Sequence, residues 1–378
     1  MKKLSLALVA ALLLCLTAGS ALADILVTYE DETSFSYDSG TITISKNATV
    51  EGSAAGVSLV VDASVTELTL RDVSITSSNA DALRFNGGAG DTLTLTLEGD
   101  NKLESSNGYG IVASKFNPTL IITGSGTLEA IGAERNGEGG RGIYVDGSLK
   151  ITGTGSVTAI GGDGTRFGGT GLRANKLEIS GTGSVTATGG NGDTAGGMGM
   201  TIETADGLSI ANGSTVTVNA GEGLIGPPAL QTMGNILVDS STLTVNALRS
   251  DGIYFLVPGK NGSAGKLIVS GDSHVTVNSG SGAATSEPEF MSDVDDFIPA
   301  QIELNGDFVM RAGDNKDSAA EMNVYDQKYP YLSIEPVQPA VPNDPILPPT
   351  GDAAPLTLLT ALAAISLAAL LILRKRTA

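Results

Sequence analysis

The sequence predicts an all-β fold: a right-handed parallel β-helix, or solenoid, lying between two apolar terminal segments. Three observations carry this reading. The middle of the chain repeats itself. Ile122-Thr123-Gly124-Ser125-Gly126 is echoed by Ile151-Thr152-Gly153-Thr154-Gly155 and by Ile179-Ser180-Gly181-Thr182-Gly183. Stronger and weaker copies begin at Leu68, Leu93, Leu120, Leu149, Leu177, Leu208, Ile236, Leu267 and Ile302, so successive units lie 25 to 35 residues apart. A period in this range belongs to stacked repeat architectures. Within each unit apolar residues alternate, as Leu149 and Ile151 and then Val157 and Ala159 do, which is the period of a strand. Finally, no amphipathic helical pattern of useful length separates the strands, which argues against an α/β or leucine-rich solenoid. Tandem immunoglobulin-like domains are the main rival. They need about 100 residues each, with turn signals closer together than this repeat.

Taken in chain order, residues 1–23 read as a signal peptide. Lys2 and Lys3 supply the positive start, residues 4–16 the apolar stretch, and Ala21 and Ala23 the small residues flanking a cleavage site before Asp24. An N-terminal membrane anchor is the alternative, but the apolar run is short for a span. Cys15 is the only cysteine and lies inside this segment, so the mature chain has no disulfide.

Residues 24–335 form the predicted solenoid, with clear repeats from about residue 68. Thr, Val and Ile fill the short strands and suit a pleated surface, while glycines mark the turns. Stacked coils lie about 4.8 Å apart, so nine or ten coils would make a rod of roughly 45 Å.

Three loops stand out within this region. Residues 132–142, 161–171 and 189–199 align without gaps and end in Gly139-Gly140-Arg141-Gly142, Gly168-Gly169-Thr170-Gly171 and Gly196-Gly197-Met198-Gly199. Their third positions are Glu134, Asp163 and Asn191. Stacked in register, these would form a ladder of oxygen atoms, flanked by Arg135, Glu138, Arg141, Arg166, Phe167 and Asp193. Carboxylate and amide oxygens of this kind suit calcium, and the loops could form a ledge for a glycan. The alternative is a row of solvated turns, in which Asn, Asp and Gly serve backbone geometry.

Signals of catalysis are thin. His274, the only histidine, sits at an alternating strand position and reads as a surface residue. Asp295-Asp296 is the only adjacent aspartate pair in its region, and it lies in an acidic irregular stretch. Arg141, Arg166 and Arg173 suit a lyase base by residue type alone. The segments at 293–296 and 314–317 do not match a calcium-binding EF-hand loop. The reading is therefore a non-catalytic binding or adhesive face. A passive structural rod and a divergent polysaccharide lyase or hydrolase are the alternatives.

Residues 336–346 form a spacer with proline at nearly every third position, which favours an extended polyproline segment. Residues 347–378 then carry Leu347-Pro348-Pro349-Thr350-Gly351, an apolar span over residues 355–373 and the basic tail Arg374-Lys375-Arg376. As a helix the span would cover about 28 Å, close to the thickness of a bilayer's hydrocarbon core. The basic cluster would stay on the cytoplasmic side. A permanent tail anchor is the alternative reading of this segment.

The two ends resemble those of sortase-anchored wall proteins of Gram-positive bacteria. That resemblance implies recognition of Leu347 to Gly351 by sortase, cleavage after Thr350 and transfer of Thr350 to peptidoglycan. It implies a secreted protein held on the outer face of the cell wall, touching the membrane only through its sorting helix before cleavage. The repeated Ile-Thr-Gly-x-Gly openings are similar to those of pectate-lyase-like β-helix surface proteins, some of which bind carbohydrate. That likeness implies a polysaccharide or host-surface ligand, though no catalytic motif of that group transfers to residues of this chain.

The whole chain carries a net charge of −19, and loss of five terminal basic residues and Asp352 would make the mature protein −23. Such a surface repels nucleic acid and anionic lipid, which excludes both as partner classes.

Overall fold

The computed structural model describes residues 24–78, 80–256, 265–280, 285–286, 301–325 and 329–337. The chain divides into two compact units, residues 1–337 and 338–378, and the second lies wholly outside the described residues. The expected signal peptide, most of the proline-rich spacer, the Leu347–Gly351 motif and the apolar span at 355–373 fall outside the described residues, as does Asp295-Asp296.

The described chain is all-β, with 57% of residues in strands, and coils into a β-solenoid of about 8 turns rather than nine or ten. Among the described residues thirty short strands pair laterally, most of them in parallel from one coil to the next. The repeat length follows from this geometry. Each coil must return one strand spacing higher, so a residue's lateral neighbour is its counterpart one repeat later.

Three strand-bearing faces wrap the core. The first stacks Thr92–Glu98, Thr119–Gly124 and the later halves of Ile143–Ile151 and Leu172–Ser180, and continues to Gln301–Asn305. The second runs from Asp100–Ser105 through Thr127–Ile131, Ser156–Ile160, Ser184–Thr188, Thr215–Asn219 and Thr242–Ala247 to His274–Ser279. The third contains Leu83–Phe85, Ile111–Ala113, Met200–Ile202, Leu230–Thr232 and Ile253–Phe255.

Sequence alternation becomes stacked columns in the core. Leu120, Leu149, Leu177, Leu208, Ile236 and Leu267 pair coil by coil and are fully buried or nearly so. Val157, Val185, Val216, Leu243 and Val275 form a second buried column. Each layer buries the apolar surface of the next, and burial is worth roughly 25 cal/mol per Å². The fold therefore coheres without a disulfide.

One register differs from the repeat alignment. Leu68 pairs with Leu95, not with Leu93. A two-residue slip leaves the inward face unchanged, because side chains alternate with a period of two. The sequence pattern therefore cannot detect it.

The turn between the first two faces explains the Gly-x-Gly element. Gly124 has φ +107° and Gly181 φ +116°, conformations that L side chains rarely adopt.

Antiparallel strands close both ends, a feature absent from the repeat pattern. Ile25–Tyr29 pairs antiparallel with Ala48–Ala55 and carries the hairpin partner Ser34–Tyr37. At the other end Tyr331–Pro336 lies antiparallel on His274–Ser279 and on Phe308–Gly313. A solenoid's terminal coil otherwise leaves its apolar core and strand edge open, so such caps suppress end-to-end stacking.

Candidate functional ledge

The three eleven-residue loops leave the second face and return to the third, and they stack as the sequence alignment placed them. Arg135 bridges Gly164, and Gly164 bridges Gly192, in parallel register. Glu138, Phe167, Ala195 and Ile225 form a second column of bridges. Glu134, Asp163 and Asn191 therefore lie at successive rungs on the exposed edge.

A spine of backbone hydrogen bonds stiffens these loops. The Gly162 amide donates to Gly140, Gly169 to Gly162, Gly190 to Gly169, Gly197 to Gly190 and Gly221 to Gly197, at 2.7–2.8 Å. The two limbs of each loop thus alternate along the axis. Gly168 shows why glycine is needed. Its φ is ordinary, yet an added Cβ would fall on the carbonyl oxygen of Gly190. The Gly-Gly pairs serve close backbone approach rather than left-handed turns.

The oxygen ladder is partly used up by the fold. The Asn191 amide donates to Asp163 Oδ1 at 2.6 Å, and the Glu222 amide donates to Asn191 Oδ1 at 2.9 Å. Asp163 and Asn191 therefore aim along the stack and hold the next rung. Among the described residues no group of three or more His, Cys, Asp or Glu side chains could hold a metal ion. Two of the three ladder side chains thus already accept a backbone hydrogen bond. The ladder's own chemistry is loop stacking.

Glu222 is a fourth rung that the repeat alignment did not find. Gly192 donates to the Glu222 carbonyl just as Gly164 donates to that of Asn191. The signal was present in Gly221-Glu222-Gly223, which matches Gly190-Asn191-Gly192. It was hidden because this loop is one residue shorter and ends in Gly226-Pro227-Pro228-Ala229 instead of Gly-Gly-x-Gly.

The cations divide between two places. Arg166 lies over Phe167, 5.1 Å from the ring centre, at the ledge edge. Arg135 and Arg141 turn instead toward Tyr109, which sits one coil away. Arg141 lies 5.5 Å from the Tyr109 ring and 5.1 Å from the Tyr144 ring, donates to the Tyr109 hydroxyl at 3.0 Å and pairs with Glu138 at 3.5 Å. Arg173 also lies over Tyr144, 5.2 Å from its ring centre, and pairs with Glu203 at 2.6 Å. Burial pushes the Tyr144 hydroxyl pKa up, reinforced by Asp146. This half-buried Arg–Tyr stack is a packing unit beside the ledge. Neither tyrosine was singled out by residue spacing.

A groove of about 700 Å³ crosses the ledge, lined by Asp163, Asn191, Asp193, Glu222, Leu224, Leu248 and Arg249 and floored by loop glycines. The carboxylates of Glu134, Asp193 and Glu222 are exposed and make no side-chain hydrogen bond or ion pair with any described residue. His274 is exposed at the start of its strand beside Thr242, as a surface residue would be. In the 314–317 segment Asn315 caps a short 3₁₀ turn by accepting from Asp317 and Ser318.

Fold and loops together define a parallel β-solenoid with a stiff, acidic, open ledge on one side. Compared with known protein families, curated proteins and solved structures, the chain matches none.

Proposed function

We propose that this chain is a secreted, sortase-anchored wall protein of a Gram-positive bacterium whose solenoid presents the loop ledge as a non-catalytic, polysaccharide-binding or adhesive face. The signal peptide and the sorting helix belong to this reading, as does the right hand of the coil, the hand that parallel crossovers adopt. The observation that carries it is the groove. It is open, of ligand size, and has a stiff glycine floor with exposed carboxylates on its rim. Hydroxyl-rich chains suit such a floor because backbone groups and carboxylates accept their hydrogen bonds. The non-catalytic reading draws support from Arg141 and Arg173, which are engaged with tyrosines and glutamates rather than presented as free bases.

One experiment tests both halves. The chain is expressed in a sortase-bearing Gram-positive host, and the muralytic digest of its wall is applied to insoluble polysaccharides, with calcium and with chelator. The wild type is expected in the wall digest and retained on a defined polysaccharide. Thr350→Ala should shift the protein out of the wall fraction. Glu134→Gln, which removes an exposed charge from the ledge beside the groove but no structural bond, should weaken retention. Retention of Thr350→Ala in the wall would overturn the anchoring half. Absence of retention on every polysaccharide would overturn the binding half, and loss of retention in chelator would assign calcium a role.

A further inference from the structure

The far end of the ledge has a different character from the glycine-floored middle. Leu224 and Ile225, from the fourth loop at residues 220–229, are 80% and 64% exposed, and Leu248, from the five-residue loop 248–252 of the next coil, is 55% exposed. Leu224 and Leu248 both line the groove, and Ile225 continues the column that passes through Ala195 and Phe167. Large aliphatic side chains gathered on one exposed rim mark an interaction surface. Beside them stand the exposed carboxylates of Asp193 and Glu222, which pair with no side chain among the described residues. Arg249, the one cation lining this groove among the described residues, is tied to the Gly223 carbonyl at 3.1 Å.

From this juxtaposition we propose that the Leu224–Leu248 rim docks a basic, apolar-anchored segment of another protein. A lysine or arginine of the partner meets Asp193 and Glu222, and an adjacent apolar side chain covers Leu224 and Leu248. The chemistry selects this occupant over the others. Sugar hydroxyls laid against leucine and isoleucine would lose water without gaining hydrogen bonds, and these side chains offer no ring face for stacking. A second copy of this chain brings a net charge of −19 against the same carboxylates, and anionic lipid is repelled likewise. A basic segment instead gains both charge complementarity and apolar burial. The inference goes beyond the polysaccharide reading: it assigns a protein ligand to the apolar end of the same groove, where Asp193 of the third loop meets Glu222 and Leu224 of the fourth and Leu248 of the next coil.

The test is fluorescence anisotropy with the full chain and a labelled peptide of alternating lysine and leucine. Lysine–serine and glutamate–leucine peptides of the same length serve as controls, and polyglucosamine as the competing cationic glycan. The lysine–leucine peptide should bind saturably, and the two control peptides far more weakly. Leu224→Ser with Leu248→Ser should weaken binding about tenfold, as loss of central anchors does. Asp193→Asn with Glu222→Gln should weaken it similarly and flatten its salt dependence. All four positions are exposed, so unchanged melting temperatures confirm that the variants fold. Glu134→Gln should leave peptide binding intact whatever its effect on polysaccharide retention, which separates this inference from the previous one. The proposal is overturned if no peptide binds saturably, or if lysine–serine binds as tightly as lysine–leucine. It is also overturned if either double variant binds as the wild type does, or if polyglucosamine binds at the rim and is lost with the two leucines.

Discussion

Gly168 and Gly88 are both glycines at ordinary φ, and their surroundings separate them. At Gly168 a methyl group would fall on the Gly190 carbonyl, which belongs to the next coil's backbone and cannot move without breaking the amide spine. At Gly88 the nearest atom to an added Cβ is 3.8 Å away. Gly168→Ala should therefore destabilise the protein by about 1–3 kcal/mol, the usual cost of overpacking. Gly88→Ala should stay within about 0.5 kcal/mol of wild type. Chemical denaturation of the two variants checks the contrast. Equal stabilities would mean that the loops can relax and that the ledge is not stiff. Asp163 makes the same point for a polar residue. Its Oδ1 holds the Asn191 amide, so its first task is structural and its charge is secondary.

At the scale of the strand, outward-facing columns do what inward columns do, with polar chemistry. Asn246 donates to Asn219 at 2.9 Å and Asn278 to Asn246 at 2.8 Å, an amide ladder along the second face. On the first face Glu178 lies 2.9 Å from Lys176 on its own strand and 2.9 Å from Lys150 on the coil before. The hydrogen bonds from Lys176 and then Lys150 hold the Glu178 carboxyl below its usual value of 4.5. A carboxyl whose folded pKa is depressed adds stability that is fully present above its unfolded pKa and is lost as pH falls through the folded one. The melting-temperature advantage of wild type over Glu178→Gln should thus be constant near neutrality and shrink below about pH 4.5. Melting curves across that range check it, and an advantage that grows in acid would contradict the pairing. The advantage is small, because all three side chains are about a third exposed and solvent screens them.

For the whole molecule the decisive feature is closure of the stack. Ile334 and Leu332 are fully buried on the antiparallel strand that caps the last coil. Ile334→Asp should open that end by placing a charge in the core, exposing apolar columns and strand edges to other copies. Size-exclusion chromatography should then show oligomers where the wild type runs as a single species. A monomeric, equally stable variant would show that the cap is dispensable.

How much of this was legible depends on which residues carry the information. Coil spacing, strand faces and loop register could be read from the sequence, because stacking makes each residue's neighbour its own counterpart one repeat on. That local rule set the alignment of Glu134, Asp163 and Asn191. The slip at Leu68 was invisible because two residues restore the same face. Glu222 was missed because a one-residue deletion and Pro227-Pro228 broke the alignment. The roles of Arg135 and Arg141 were not legible either, since nothing in the loop repeat says that Tyr109 and Tyr144 stand beside them. The sequence by itself thus determined the solenoid, its period and the stacked rungs, since periodic burial has only one way to repeat. Tertiary structure alone decided which rung oxygens the backbone consumes, which arginines are packed away, where the aliphatic rim meets the exposed carboxylates and how antiparallel strands close the ends. Those outcomes depend on contacts between residues that no repeat relates, and a periodic pattern holds no information about them.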